Sequence, residues 1–188
     1  MRTSTHPSFG DSFRARMMPK LKVFLGAVAI SLPLDQLSKL IVLRSLSFAD
    51  RVSVIDGFFY LTHVRNPGSA FGLFASSPEP YRSIFFIGVT SVAMLMIFSF
   101  YRRLAPGDRL SALALGLVLG GAAGNLIDRI RIGEVVDFLH FRLWGGYSWP
   151  DFNLADSFIV VGVALLILEL LATEGERRAD PAGGGSQQ

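Results

Sequence analysis

The chain has 188 residues, 51% of them hydrophobic, with 16 Phe and a formal charge of only +3. That is one domain's worth of residues and too apolar for a water-soluble globule, so a bilayer is its expected solvent. Dispersed basic residues with no stacking aromatics between them argue against nucleic acid as a partner, and the absence of cysteine excludes disulfides, thiol catalysis and cysteine-based metal sites.

Residues 1–20 carry Arg2, Arg14, Arg16 and Lys20 without a sustained apolar period, which reads as a flexible basic tail on the cytoplasmic side. Leu21–Leu34 is the first apolar run, and it reaches Leu43 if Asp35 and Lys39 are tolerated near its end. A basic region before a short apolar core also describes a secretory signal peptide. No small-residue cleavage pattern follows, however, and the chain continues as DQLSKLIVL, so a retained helix is expected.

From Arg44 to Arg82 the character changes to mixed charge, aromatics and turn residues. VSVIDGFFYLTHV alternates in the manner of short strands around Asp56-Gly57, while Arg44–Asp50 is open to a short interfacial helix. In NPGSAFGLF, Pro67, Gly68 and Gly72 punctuate a loop that leaves Phe71, Leu73 and Phe74 to dip into the membrane edge. The whole segment, 44–82, reads as a platform resting on the bilayer. Ser83–Tyr101 is uncharged for 19 residues, roughly 28 Å as a helix, which matches the hydrocarbon core.

Arg102, Arg103 and Arg109 follow in a Pro-Gly turn whose positive charge marks it as cytoplasmic. Leu110–Ile127 returns across the membrane, with Gly116, Gly120 and Gly124 four apart on one face, where a neighbouring backbone can approach closely. Leu154–Leu171 is the fourth span; residues 174–188, charged and then Gly-rich, read as a disordered cytoplasmic tail. Four spans place both termini in the cytoplasm and both polar connections, 44–82 and 130–153, outside. Arg44, Arg51, Arg65, Arg82, Arg131 and Arg142 in those connections run against the charge rule, but the short turn is the better reporter.

The polar residues gather between Gly120 and Ser157. Asp128 and Arg129 lie three and four residues after Asn125, so on a continuing helix the three share a face. Alone, Asp128 and Arg129 read as an ion-paired helix end, and Asp35 and Lys39, at i and i+4, as a similar pair. Asp137 in VVDFL and Asp156 in NLADSFIVV differ, because each sits in apolar company without an adjacent base. Brought together, they would share one proton as a dyad. One carboxylate would then take a proton from water while the other hydrogen-bonds a scissile carbonyl, hydrolysing an amide without a metal or a covalent intermediate. On spacing alone, a structural or ion-conducting use of the same acids stays open. With three His (His6, His63, His140) and no HExxH spacing, no metal site or other cofactor is expected; His63 and His140 read as ordinary surface or platform residues.

Taken in order, LDQLSK at Leu34–Lys39, NPGSAFG at Asn66–Gly72, GGAAGNLIDR at Gly120–Arg129, VVDF at Val135–Phe138 and FNLADS at Phe152–Ser157 resemble the bacterial lipoprotein signal peptidases, also called signal peptidase II, over residues 21–171. The resemblance implies an aspartic endopeptidase of the bacterial inner membrane that removes signal peptides from diacylglyceryl-modified prolipoproteins, cutting just before the lipid-modified cysteine. It implies Asp137 and Asp156 as the catalytic pair, with Asp35, Lys39, Asn66, Asn125, Asp128, Arg129 and Asn153 in support. It also implies an all-α membrane fold with a small β element: four transmembrane helices, an extracytoplasmic β-cradle and a short amphipathic helix, within a peptidase domain at 21–173. Membrane lipid would be a partner, globomycin an inhibitor, and one chain would suffice for function.

On this reading Asn66 and Asn153 hydrogen-bond the substrate backbone, Arg129 orients an acid or a carbonyl, and Phe71 and Trp149 either close over the site or, as interface aromatics more often do, anchor the chain at the membrane surface. The principal rival is a small proton- or ion-conducting protein that relays ions through Asp35, Asp128, Asp137 and Asp156; it would need polar groups at both depths, whereas these acids cluster towards one face. An assembly protein built on the glycine face leaves the two isolated acids unexplained, and no Ser-Gly and His pattern supports rhomboid-type serine proteolysis.

Overall fold

The computed structural model describes residues 9–68 and 81–179; the expected membrane-dipping residues Phe71, Leu73 and Phe74 lie outside them. In chain order the elements are α1 (Phe9–Ser45), β1 (Arg51–Ile55), β2 (Phe59–Asn66), α2 (Tyr81–Arg103), α3 (Arg109–Ile132), β3 (Val135–Phe141) and α4 (Leu154–Ala179). All four helices contain stretches long and apolar enough to cross a membrane.

α3 is the centre of the bundle and packs against each of the other three. Its glycines explain how. A Cβ on Gly116 would lie 2.7 Å from the Ala27 Cβ, one on Gly120 would overlap the Ser31 hydroxyl, and one on Gly124 would come within 3.0 Å of the Asp35 carboxyl carbon. The expected close-approach face is thus real, and its partner is α1. Because the last of these contacts is with Asp35, the same face delivers a carboxylate against α3. Gly133 ends the helix in a left-handed conformation, its N–H returning to the Arg129 carbonyl at 3.0 Å, and the chain enters β3 two residues later.

The platform is a three-stranded antiparallel sheet in the order β1-β2-β3. Its first hairpin turns at Asp56-Gly57 as expected, with Gly57 at φ 76°. The third strand departs from expectation: Val135–Phe141 lies within the segment 130–153, expected only as a polar connection. In its register Val64 faces Asp137 and Asn66 faces Val135, so Asn66 and Asp137 are diagonal neighbours on one face. Residues 148–152 run back along β3, with Trp149 N–H donating to the Phe141 carbonyl (2.8 Å) and Phe152 exchanging hydrogen bonds with Leu139. Val42, Val136 and Phe138 form the small core joining the sheet to α1.

Three boundaries differ from expectation. α1 begins at Phe9, so the second half of the supposed flexible tail is helical, and Lys20 is buried with its ammonium on the Leu104 carbonyl at 2.7 Å. After Ser45 the chain forms a turn, closed by Asp50 accepting the Ser47 N–H, and not a short interfacial helix. α4 continues through Ala179, past the expected start of the C-terminal tail.

Candidate active site

The C-terminal halves of α1 and α3, the start of α4, and strands β2 and β3 meet at one end of the bundle. Asn153, fully buried, is the node. Its side-chain amide donates to Asp137 Oδ1 at 2.7 Å and to Asn125 Oδ1 at 3.2 Å. It also precedes α4 and forms a reciprocal cap with Asp156: Asn153 Oδ1 accepts the Asp156 N–H at 3.1 Å, and Asp156 Oδ2 accepts the Asn153 N–H at 3.2 Å. One asparagine therefore ties together two aspartates that are 19 positions apart in the chain (156 minus 137).

Each carboxylate has a second donor. Asn66 Nδ2 reaches Asp137 Oδ2 at 2.9 Å, and Asn125 Nδ2 reaches Asp156 Oδ1 at 2.8 Å. Asn66 is oriented in turn by the Gly68 N–H on its carbonyl oxygen, at 2.9 Å. The amide nitrogens of Asn66 and Asn153 are both directed at Asp137. Burial pushes the Asp137 carboxyl up to about 7, the Asp156 charge adding to the effect while the Asn66 and Asn153 hydrogen bonds and the Lys39 charge oppose it.

A second cluster backs the first. Lys39, 2% exposed, lies 2.9 Å from Asp35 Oδ2 and 2.7 Å from Asp128 Oδ2, and donates to Asn125 Oδ1 at 2.9 Å. The i,i+4 pair is as expected. Asp128, by contrast, takes α1's lysine as its ion-pair partner instead of the adjacent Arg129, because it points into the α1–α3 seam. The other Asp35 oxygen accepts the Ala155 N–H at 2.9 Å, satisfying a donor in the first turn of α4, and Asp128 Oδ2 accepts the Val136 N–H of β3 at 3.3 Å. Arg129 is half-buried, with its Nη1 on the Asn125 carbonyl (3.4 Å) and its guanidinium 5.4 Å from the Phe86 ring centroid; Asp156, Asp137 and Asp128 are the acids whose charges reach it. All nine candidate residues thus converge.

Several participants escaped sequence reasoning. Gln36 Nε2 bridges Asp35, the Gly124 carbonyl and Asp128 at 3.1–3.2 Å; its place one residue after Asp35 was the available signal. Asp151 accepts the Thr62 hydroxyl at 2.6 Å and lies 3.2 Å from His140 Nδ1, fastening the segment before Asn153 to the sheet. His63 is a platform residue as expected, on β2, and is buried with Nδ1 at the Leu46 carbonyl (2.9 Å). Trp149 is half exposed beside Phe141, Leu143 and Phe152. Among the described residues no three His, Asp or Glu side chains form a group able to hold a metal ion.

Residues 27–172 match the family model described as signal peptidase (SPase) II. The lipoprotein signal peptidase of Geobacter metallireducens is 44% identical over 87% of this chain and 99% of its own length, and that of Geobacter sulfurreducens is 45% identical over 88% and 100%. A bacterial membrane enzyme solved by the in meso method superposes with a TM-score of 0.68 at 32% identity, covering 82% of this chain and 94% of that one.

Proposed function

The chain belongs to the signal peptidase II family, a family of aspartic peptidases that cleave lipoprotein signal peptides, and from that premise we propose that Asp137 and Asp156 are the catalytic pair. The observation that carries the proposal is that one buried residue, Asn153, donates to both carboxylates, to Asp137 from its side-chain amide and to Asp156 from its backbone N–H. Four carboxylates, Asp35, Asp128, Asp137 and Asp156, gather around two cations, Lys39 and Arg129. Such an excess of buried acid favours retention of one proton, and Asp137 is the acid that keeps it. Asp156 accepts N–H donors at both oxygens in the first turn of α4, where the helix N-terminus suits a carboxylate.

In the cleavage step Asp156 removes a proton from water, the water oxygen bonds to the scissile carbonyl carbon, and Asp137 passes its proton to the carbonyl oxygen. The tetrahedral adduct then collapses: the C–N bond breaks, the nitrogen takes the proton held by Asp156, and Asp137 recovers its own. Asn125, Asn153 and Asn66 hold the carboxyl groups in aim, and the Lys39 cluster anchors Asn125. The substrate is a diacylglyceryl-modified prolipoprotein cut before its modified cysteine. It reaches the site laterally from the lipid of the bacterial inner membrane, at the extracytoplasmic surface, with both termini of the enzyme in the cytoplasm and one chain sufficient.

An ion-conducting role is disfavoured by the seam between the two ends of the bundle. Glu169, hydrogen-bonded by Ser111, does place an acid towards the far end, so the acids are less one-sided than the sequence suggested. Between that pair and Asn125, however, α3 and α4 meet through Ala114, Val118, Gly121, Ala155, Ile159 and Gly162, which offer no proton-carrying step. The test is cleavage of a diacylglyceryl prolipoprotein by purified Asp137→Asn and Asp156→Asn, each expected to lose about 10³-fold or more in kcat while remaining folded. Globomycin should block the unmodified enzyme. Full activity in either variant contradicts the assignment.

A further inference from the structure

α2 supplies none of the hydrogen bonds described above, yet one of its side chains touches the site from two sides. Ile84, Phe85 and Val89 are exposed, whereas Phe86 is half-buried. One edge of its ring lies on Gly68: a Cβ built there would fall 2.5 Å from Phe86 Cδ2, and Gly68 has φ +90°, a conformation that disfavours any side chain. The Arg129 guanidinium stands 5.4 Å from the same ring's centroid, within the range of a cation–π contact. Both neighbours lead to the aspartates. Gly68 N–H fixes the Asn66 carbonyl so that Asn66 Nδ2 is left for Asp137, and Arg129 Nη1 donates to the carbonyl of Asn125, whose side-chain amide donates to Asp156.

We propose that Phe86 is a positioning residue of the cleavage site, a wedge on α2 whose ring holds the Gly68 backbone and the Arg129 guanidinium so that Asn66 keeps its aim at Asp137 and Arg129 keeps its place on Asn125. This rests on the assignment of Asp137 and Asp156 as the catalytic pair. An ordinary packing residue would affect folding and leave the chemistry of that pair untouched; a wedge affects the pair itself. The charged groups bearing on Asp137 are Asp156 from α4 and Lys39 from α1; α3 brings Arg129 nearby and Asp128 onto the adjacent Val136 N–H, and β2 brings the neutral Asn66. Weaker donation from Asn66 and a displaced Arg129 both favour the protonated carboxyl. The alkaline limb of the kcat–pH profile, where Asp137 loses its proton, therefore moves to higher pH when the wedge is removed.

The experiment compares kcat, KM and the kcat–pH profile of the full-length wild type, Phe86→Met, Phe86→Tyr, Phe100→Leu and Asp137→Asn on a diacylglyceryl prolipoprotein. Phe86→Met keeps bulk without the π face and should lose about 10-fold in kcat, with KM within about twofold and the alkaline limb shifted upward. Phe86→Tyr, which restores the π face, should stay within about twofold of wild type and keep the wild-type limb, as should Phe100→Leu, an exposed ring elsewhere on α2. A wild-type profile for Phe86→Met, a loss with the limb unmoved, or a loss confined to KM overturns the wedge. If Phe86→Met is not recovered folded, Gly68→Ala, which intrudes on the same ring from the loop side, must show the same limb shift, and an unmoved limb overturns the proposal. An active Asp137→Asn would overturn the catalytic pair and with it the limb assignment, whereas wild-type behaviour of Phe86→Met beside an inactive Asp137→Asn overturns the wedge alone.

Discussion

α2 and α3 follow one another in the chain, have 23 and 24 residues, and are both apolar enough to cross a membrane, but they do opposite things. Eleven residues of α3 are buried against one, Tyr101, of α2. The cause is side-chain size. α3 carries Gly and Ala where neighbouring backbones approach, whereas α2 presents Ile84, Phe85, Val89, Val92, Leu95 and Met96 outward. In a bilayer a large apolar side chain gains nothing by leaving lipid for protein, so close packing of small residues decides which helix is central. A helix packed this closely can bring polar residues to a buried site, as α3 does with Asn125, Asp128 and Arg129.

That contrast can be broken by substitution. Gly120→Leu should give no folded enzyme in detergent, because even a Cβ overlaps Ser31, while Gly88→Leu on α2, with nothing within 4 Å of its Cβ, should keep activity within about twofold. Size-exclusion behaviour and turnover of the two proteins check this, and equal tolerance at both positions would remove packing as the explanation.

A smaller effect is expected where α3's polar end is pinned to α1. Lys39→Met leaves Asp35 and Asp128 buried without their shared cation and should destabilise the protein by about 3–5 kcal/mol. Adding Asp128→Asn should recover part of that loss, since one of the two unpaired charges is removed. Thermal unfolding in detergent measures both, and a Lys39→Met protein as stable as wild type would show that the ion pairs contribute little.

The sequence disclosed the spans and the packing face because both rest on local patterns: uncharged length, and glycines spaced four apart. Asp137 and Asp156 stood out because each is an acid without a neighbouring base. What it concealed depends on pairing across elements. VVDFLHF was passed over as a strand because its buried and exposed positions do not alternate; Val135, Val136, Asp137 and Phe138 are all buried. Lys39 has a satisfactory partner four residues earlier in its own helix, so nothing local points to Asp128. That the asparagines hydrogen-bond the carboxylates is visible only in the three-dimensional arrangement. Phe86 sits beside Phe85 in an apolar run, and what distinguishes it is a glycine in a different segment.

The central claim is that Asp137 holds the proton of the pair while Asp156 acts as the base. Infrared titration of the carboxyl C=O stretch in the purified enzyme tests it most directly. A buried carboxyl band should be present at about pH 6 that titrates away near the value to which burial pushes Asp137, about 7. It should vanish in Asp137→Asn and persist in Asp156→Asn. A band that survives in Asp137→Asn and disappears in Asp156→Asn would contradict the account.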